Sequence, residues 1–426
     1  MTERPLHGLR VLEYGQYVAV PFATMLLADL GADVIKIEPP SGDQYRHYDP
    51  FAPGESRYFY ALNRNKRSIV LDLKSAEGRQ RSDALVATAD AIIHNFLPAR
   101  ASRYGLDRAG VRQTNPRAVW VCVSPFGSTG PDEGRPGFDF LAQALSGLLL
   151  ASPRVTDTVP HRLGGLAIVD FTTGMLAAIS ALTGLLARSS SDSVHNFEVS
   201  LLGSALALQA QRFVAISGLD ASFTDGPEAD QTVTAMVSPN GLAQAAARVH
   251  DLDALEPYYR CYRCLDGFLA VACLNTRQRY GVCDLLGLTD PWIENPQQLP
   301  IDEVERQARL EHITRLKETF STHPVAHWLV ELDRKNVPAV EVRELDGMFA
   351  NPQVRANGLV QEVIQPGVGP VQLLGNLFKV DEQSTLAERP APLLDEHQDD
   401  LFDSMGGVRI ARHPVGACVS LSEAKR

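Results

Sequence analysis

Apolar and polar residues alternate along the first part of the chain in the rhythm of short strands and helices. A β-prone run at residues 10–14 ends at Gly15, and a helical pattern with proline in its first turn follows over residues 21–30. Gly31 suits the end of that helix, and residues 34–37 form the next apolar run. This spacing predicts two parallel strands joined by a crossover helix.

The same rhythm continues further along the chain. Strands are predicted at residues 69–73, 91–93 and 118–123, with a helix over residues 76–88 between the first two. Strands that alternate with helices are typical of an α/β domain with a parallel sheet. The pattern therefore predicts a Rossmann-like domain.

A dinucleotide site is not expected in this domain. Glu38 ends the second predicted strand, where dinucleotide-binding folds place an acid for the ribose. The G-x-G-x-x-G turn that must accompany this acid is missing, because Gly15 is followed by QYVAVP. Without those glycines the backbone cannot approach a pyrophosphate closely, so we reject an NAD site here.

The middle of the chain contains a strongly apolar stretch at residues 163–187. It is nearly long enough to cross a bilayer, but Asp170 lies inside it, and an acid is costly in the centre of a membrane. We interpret the stretch as a buried strand at residues 166–169 followed by a core helix over residues 171–187, with no membrane association. A further long apolar helix is predicted over residues 200–215.

A second pattern of elements follows toward the C-terminus. It predicts a strand pair over residues 258–273, helices over 303–320 and 326–336, and strands over 338–342 and 359–363. From these patterns we predict a large α/β domain formed by residues 1–189 and 389–426, linkers at 190–221 and 371–388, and a smaller α+β domain over 222–370.

Composition limits the classes of function. The chain has 426 residues and a formal net charge of −11, which argues against a surface built to hold nucleic acid. Its 6 cysteines are too few for a disulfide scaffold, and Cys261 and Cys264 lack the further spacing of a zinc site. The first residues, MTERPL, contain no apolar signal segment. We therefore expect a cytoplasmic protein without a metal site.

Asp170 is the candidate catalytic residue. It lies between the predicted strand and the long apolar helix, where Asp is a favoured N-cap. The residues alone leave two interpretations open: a structural cap, or a carboxylate whose ionised form is favoured by the N-terminus of the helix. An ionised carboxylate with apolar neighbours and little water is a usable nucleophile toward an acyl group.

Short motifs occur in a specific order along nearly the whole chain, from Leu6 to about Gly406. They are residues 30–38 (LGADVIKIE), 63–68 (NRNKRS), 71–74 (LDLK), 94–98 (HNFLP), 123–131 (VSPFGSTGP), 135–139 (RPGFD), 143–147 (QALSG), 337–340 (VPAV), 351–354 (NPQV) and 391–394 (APLL) followed by Glu396 and His397. Each motif alone is weakly specific. Their order and spacing together resemble the class III CoA-transferase family, which includes formyl-CoA transferase, carnitine CoA-transferase and α-methylacyl-CoA racemase.

The resemblance implies a mechanism, substrates and an assembly. In that family the Asp that opens the long apolar helix is the transferase nucleophile, and Asp170 occupies this place. It would form a mixed anhydride and then an aspartyl-CoA thioester, so that CoA passes from an acyl-CoA donor to a carboxylic-acid acceptor without a tightly bound cofactor. An interlocked homodimer is also implied. The positions expected to contact CoA are Val18, Ala19, Leu71, Lys74, Asn95, Phe96 and Arg103, with Lys66 and Arg67 as nearby candidates.

Three positions depart from the pattern of formyl-CoA transferase. Val18 stands where that enzyme has Gln, which argues against formyl or oxalate specificity. Pro39 stands where it has Arg, so that one contact to the nucleotide is missing or replaced. Asp395 replaces a Gly near the C-terminus.

Two alternative functions remain beside CoA transfer. A racemase needs an acid/base pair on opposite faces of an enolate, and one half of it is a His in a Gly-His-Asp triplet. The matching triplet here carries Phe138, which cannot transfer a proton, and His161 lies in a predicted loop. The other alternative is a non-catalytic acyl-CoA-binding paralogue, against which the retention of Asp170 argues.

Overall fold

The computed structural model describes residues 4–151, 165–191, 194–214, 216, 255–296, 298, 300–381, 383–384 and 387–404. Contacts divide the chain into two compact units. The large unit comprises Met1–Leu149, Arg162–Val214 and Phe349–Arg426, and the small unit comprises Leu150–His161 and Ala215–Met348.

A six-stranded parallel sheet forms the centre of the large unit. The first strands of the chain are β1 (Arg10–Tyr14), β2 (Asp33–Glu38), β3 (Pro50–Ala52), β4 (Glu55–Ser56), β5 (Arg67–Val70), β6 (Ala91–His94), β7 (Val119–Ser124) and β8 (Asn196–Ser200). β3 pairs only with β4, and the other six lie in the order β5-β2-β1-β6-β7-β8 with every pair parallel. This confirms the predicted α/β domain with a parallel sheet.

Helices cover both faces of this sheet. They are α1 (Ala19–Asp29), α2 (Arg57–Asn63), α3 (Ala76–Val86), α4 (Pro98–Arg103), α5 (Arg108–Thr114), α6 (Asp139–Leu145), α7 (Ile168–Ser191) and α8 (Leu201–Ala207). Because successive strand residues point to opposite faces, Val11 and Val34 enter a core shared with α1 and α7, whereas Leu12 and Ile35 enter a core shared with α3 and α5. The predicted helix over residues 200–215 is wrong, since the chain leaves β8 at Ser200 and forms only the short α8.

The long helix α7 packs closely against α1. It begins at Ile168, so the predicted strand at residues 166–169 is wrong and those residues lead directly into the helix. At Gly174 an added Cβ would lie 2.7 Å from the carbonyl oxygen of Ala19, which shows how near the two backbones come. Among the described residues, Ile168–Ser190 is the one helix long and apolar enough to cross a membrane, and its inner face lies in the core shared with α1.

The small unit contains an antiparallel sheet and helices. Its elements are β9 (Tyr259–Arg263), β10 (Phe268–Ala272), α9 (Thr276–Leu286), α10 (Glu303–Phe320), α11 (Val325–Arg334) and β11 (Ala339–Glu341), with strand order β11-β10-β9. The predicted strand pair and both predicted helices are confirmed. Tyr262, Phe320 and Trp328 stack in its core. Cys261 and Cys264 are both free thiols.

The C-terminal segment belongs to the large unit. Its elements are α12 (Pro352–Ala356), β12 (Val360–Gln365), β13 (Gly369–Leu374), β14 (Lys379–Val380), β15 (Gln383–Ser384) and α13 (Gln398–Ser404). The sequence pattern grouped residues 349–370 with the second domain, whereas contacts group them with the first. Two contacts explain this grouping: Gln365 Nε2 donates to the Ala391 carbonyl at 2.9 Å, and Val368 packs against the buried rings of Phe59 and Tyr60.

Candidate functional site

Asp170 is the third residue of α7 and is partly buried. It does not cap this helix, contrary to the structural interpretation of the sequence. The cap is Asp139, whose Oδ2 accepts hydrogen bonds from the backbone N–H groups of Val169 at 2.8 Å and Asp170 at 3.0 Å. Since another acid satisfies these donors, the Asp170 carboxylate is left without a structural role at the helix N-terminus.

The electrostatics of Asp170 also differ from the expectation. The sequence suggested that the helix N-terminus favours its ionised form. Instead, burial and then the negative charge of Asp139 raise the pKa of Asp170 to about 7. The Asp139 carboxylate lies at the N-terminus of α7, where the partial positive charge of the helix favours it. The other oxygen of Asp139 accepts a hydrogen bond from Gln143 Nε2, one turn further along α6.

Aromatic rings line the space beside this pair of acids. We call Tyr17, Tyr45, Tyr48, Tyr58 and Phe138 the aromatic wall. The Tyr17 ring lies 5.6 Å from the rings of both Phe138 and Tyr45, centroid to centroid, and the rings of Tyr48 and Tyr58 lie 5.6 and 5.5 Å from Tyr45. Burial and the charge of Asp170 both raise the pKa of the Tyr45 hydroxyl, which shows that the wall is close to the carboxylate.

A cavity of about 440 Å³ is lined in part by the turn between β1 and α1. Three of the residues expected to contact CoA line it, namely Leu71, Lys74 and Phe96. The structure adds Arg100 and Tyr104 from α4 and the residue after it, and the Phe96 and Tyr104 rings lie 5.7 Å apart.

The remaining expected positions lie outside the cavity lining. Val18 and Ala19 are buried beside α7, so that only their backbone could meet a ligand. Asn95 Nδ2 donates to the Gln16 carbonyl at 3.1 Å and so holds the β1–α1 turn at the cavity's rim. Arg103 is exposed at the end of α4, one helical turn beyond Arg100.

Arg100 and Lys74 are the cations that line this cavity. In the described part of the chain neither side chain has a hydrogen bond or an ion pair, so both can donate hydrogen bonds to the oxygens of an anion. Asp72 also lines the cavity, where its Oδ1 accepts from the Lys74 N–H at 3.0 Å. Two available cations with two neighbouring rings suit a phosphorylated nucleotide.

A network of fully buried charges lies beneath the site. Glu13 binds Lys36 Nζ at 2.5 Å and Lys66 Nζ at 2.8 Å, and Lys36 also binds Asp43 at 2.7 Å. The opposite oxygen of Asp43 accepts from the backbone N–H of Tyr45 at 2.9 Å. The network therefore fixes part of the aromatic wall, and Lys66, a nearby CoA candidate in the sequence, is a structural residue instead.

Arg67, the other nearby CoA candidate, and Glu38, the acid that ends β2, also have structural partners. Arg67 forms an ion pair with Asp33. Glu38 receives two hydrogen bonds from Arg46, both at 2.8 Å, which hold the pKa of this buried carboxyl at about 2 despite the opposing effect of burial. Pro39 lines the cavity without a charge.

Comparison with known proteins decides the family. The sequence profile of CoA-transferase family III matches residues 6–398. The chain belongs to CoA-transferase family III. It is 31% identical over 398 residues to the human succinyl-CoA:glutarate CoA-transferase, covering 92% of this chain and 84% of that protein. It is also 29% identical to the acetyl-CoA:oxalate CoA-transferase of Acetobacter aceti, covering 92% and 93% of the two chains.

Solved structures agree with this assignment. A CAIB/BAIF family protein from Brucella suis superposes with a TM-score of 0.72 and 26% identity, over 95% of this chain and 100% of that one. The large parallel sheet and the smaller antiparallel sheets are thus the fold of this family. The chain is an enzyme of the class III CoA-transferase family.

The histidine required by a racemase of this family is absent from the described surroundings of Asp170. Phe138 is exposed at the racemase position and packs against Tyr17. His47 Nε2 is 2.7 Å from the Ser41 carbonyl oxygen, and His94 is fully buried beside Trp120. His161 lies outside the described residues.

Proposed function

We propose that this enzyme transfers CoA from an acyl-CoA donor to a carboxylic-acid acceptor, with Asp170 as the nucleophile. The observation that carries the proposal is a partly buried carboxylate beside which the described residues place another acid and no cation. Asp139, and not Asp170, caps the helix. A buried acid without compensation is costly to keep, and such groups occur at functional sites. The relatives named as CoA-transferases support the class of reaction.

The substrate positions follow from the β1–α1 turn. Gln16 lines the cavity, and the ring of the next residue, Tyr17, packs against Phe138 of the aromatic wall, beside Asp139. The nucleotide of CoA would occupy the cavity, with Lys74 and Arg100 on its phosphates, and the pantetheine arm would cross the turn toward Asp170. Arg100 would thereby replace the arginine that formyl-CoA transferase has at the position of Pro39, since both Arg100 and Pro39 line the cavity.

The steps balance with the two substrates alone. Asp170 attacks the thioester carbonyl and CoA leaves as a thiolate, which gives a mixed anhydride. The thiolate attacks the Asp170 carbonyl carbon, forms an aspartyl-CoA thioester and releases the donor's acid. The acceptor carboxylate then displaces CoA to give a second anhydride, and the thiolate takes the acceptor's acyl group and regenerates Asp170.

The raised pKa of Asp170 contributes to the first step. A more basic carboxylate is a better nucleophile once it is ionised, and its ionised fraction increases above a pH of about 7. When Asp170 becomes acylated its charge disappears, so the repulsion from Asp139 and the cost of burial are both relieved. The environment of Asp170 therefore favours the covalent intermediate over the free carboxylate.

A homodimer is part of the proposal. The face of α7 that is not in the core exposes Met175, Ile179 and Leu186. Contiguous exposed apolar side chains on a helix are typical of an interaction surface. We propose that a second copy of this chain covers them in an interlocked homodimer. We also propose that the enzyme acts in the cytoplasm. Light scattering of Ile179→Glu against wild-type protein tests the dimer, since a monomeric wild-type protein contradicts it.

Replacement of the nucleophile tests the catalytic proposal. Asp170→Ala should abolish transfer with every donor thioester and acid, while circular dichroism shows an unchanged fold. Unchanged turnover of Asp170→Ala eliminates the covalent mechanism at this residue and leaves a different nucleophile. CoA binding by the wild-type protein without any transfer would instead indicate a non-catalytic paralogue.

A further inference from the structure

The aromatic wall is exposed, although it lies next to a well-packed core. Phe138, Tyr48 and Tyr58 are 59%, 53% and 43% exposed. Their rings form one continuous series with Tyr17 and Tyr45, at centroid distances between 5.0 and 5.6 Å. Large contiguous aromatic surfaces on a protein usually mark a binding site.

The hydroxyl groups of the wall are also available. In the described part of the chain, the side-chain oxygens of Tyr17, Tyr45, Tyr48 and Tyr58 have no hydrogen-bond partner. Two buried tyrosines of the same unit differ: Tyr14 bonds to Ser82 at 2.7 Å, and Tyr60 donates to Glu55. The wall thus offers ring faces, ring edges and free phenol groups, which are the contacts that another aromatic ring uses.

The wall is joined directly to the site of the proposed reaction. Phe138 is followed by Asp139, whose carboxylate binds the N–H of Asp170 at 3.0 Å. Tyr17, whose ring lies between those of Phe138 and Tyr45, has a backbone φ of +69°, a left-handed conformation that a residue with a side chain rarely adopts. The Asp43 carboxylate accepts from the N–H of Tyr17 at 3.3 Å and from that of Tyr45 at 2.9 Å, and so anchors both rings.

Among the described residues, three cations that neighbour the wall through Asp43 or along the chain are already engaged. Lys36 is paired with Glu13 and Asp43. Arg46 is paired with Glu38, and its guanidinium stacks 3.6 Å from the centroid of Phe59. Arg57, next to Tyr58 in the chain, lies over the ring of Phe51. A second carboxylate of a dicarboxylic acid needs a free cation, and the described residues offer aromatic rings instead.

We propose that the preferred acid of this enzyme carries an aromatic ring, which packs on the aromatic wall while its carboxyl group meets Asp170. The proposal rests on the proposed function, because it assigns the acyl side of the same site. It names an aryl-substituted carboxylic acid as the substrate class, in contrast to the dicarboxylic acids in the names of several relatives.

The test measures exchange of each isotopically labelled acid into its own CoA thioester, so that no donor–acceptor pair has to be guessed. The panel contains 3-phenylpropionate, 3-cyclohexylpropionate, succinate and glutarate. We expect kcat/KM for 3-phenylpropionate to exceed the values for the other three by about tenfold, as ring–ring contacts predict. Tyr48→Leu should bring the ratio of phenyl to cyclohexyl acid close to one, and Tyr48→Phe should retain it.

Controls separate this proposal from the function on which it rests. Tyr259→Leu removes an exposed tyrosine of the small unit and should keep the wild-type ratio. Tyr48 is more than half exposed, so Tyr48→Leu should fold, which its melting temperature checks. Efficient exchange of succinate with no preference for the phenyl acid overturns the inference and leaves CoA transfer intact. Absence of exchange with every acid overturns both.

Discussion

Two buried acids of the large unit, Glu13 and Asp170, have opposite electrostatic surroundings. Glu13 is fully buried and lies between Lys36 and Lys66. Burial alone would raise the pKa of Glu13, but the two ammonium groups overcome this effect and lower it. Asp170 has another acid beside it, and burial together with Asp139 raises its pKa to about 7.

The difference shows that burial does not by itself define a functional acid. A buried carboxylate with cations on both oxygens is held in one place and one charge state, and removing it leaves unpaired cations. A carboxylate without compensation is less stable when ionised, and it gains by becoming neutral, whether through a proton or an acyl group. In the proposed mechanism, the first environment holds the site in place and the second makes Asp170 reactive.

The largest expected effect comes from Asp170→Asn. The account predicts a loss of CoA-transfer activity of at least about a thousandfold, since the amide cannot form the anhydride. Asp284→Asn, which changes an exposed acid of the small unit, should leave turnover unchanged. A steady-state assay of both variants with one donor and one acceptor provides the comparison.

The free energy of unfolding should depend strongly on the buried acid Glu13 and only weakly on an exposed acid. Glu13→Gln leaves Lys36 and Lys66 without their shared partner and should lower the free energy of unfolding by about 3–5 kcal/mol. Glu77→Gln removes an exposed pair with Arg81 and should change it by less than about 1 kcal/mol. Urea unfolding measures both variants, and equal losses would contradict the structural role of Glu13 between its two buried cations.

The pH dependence sharpens the contrast further. Because the ionised form of Asp170 is the nucleophile of the proposed mechanism, kcat/KM should rise as the pH increases through about 7. Between its ordinary pKa of 3.8 and about 7 the folded chain holds a proton that the unfolded chain releases, so this group lowers stability as the pH rises. Asp170→Asn should remove that decrease in urea unfolding curves measured at pH 5 and pH 8.

Asp139→Asn tests the neighbouring charge. The amide oxygen can still cap α7, but the negative charge is gone, so the pKa of Asp170 should fall and the pH–rate curve should move by about one unit toward acid. We expect kcat to decrease by about tenfold, because the carboxylate becomes less basic. A pH–rate curve that stays in place would show that burial alone sets the pKa of Asp170.

The smallest expected effect concerns a cation without a partner, in contrast to a paired one. Arg46 is fully paired with Glu38, whereas Arg100 has no described partner in the cavity. Arg100→Ala should raise KM for the acyl-CoA by about fivefold to tenfold without an equal change in kcat, as expected for a lost phosphate contact. Arg103→Ala, one turn away and outside the cavity lining, should raise it by less than about twofold.

The sequence predicted those parts of the fold that depend on local patterns. Short apolar runs bounded by glycine correctly predicted β1, β2 and the crossover helix between them. Residues 166–169 looked like a strand because they are apolar, but the structure caps α7 through Asp139, far away in the chain. A local pattern contains no information about such a distant cap.

The site was predictable where a motif marks a residue and not where distant residues meet. The motifs predicted Leu71, Lys74 and Phe96 as neighbours of one ligand, and the structure brings these three together in one cavity. The role of Asp170 stays a prediction. Arg100 was not predicted as a CoA contact. Because it lies three residues before the predicted contact Arg103, the two side chains are neighbours on the same helix, and this spacing could have indicated it. The aromatic wall is assembled from residues scattered between positions 17 and 138, which only the tertiary structure brings together.

The most direct test of the central claim follows oxygen atoms. When an acceptor acid labelled with ¹⁸O in its carboxylate attacks the aspartyl-CoA thioester, one of its oxygens bridges the anhydride and remains on Asp170 after the thiolate takes the acyl group. Mass spectrometry of the peptide that contains Asp170 should therefore show ¹⁸O after turnover with donor and labelled acceptor together. A turnover-competent enzyme whose Asp170 stays unlabelled would contradict the account.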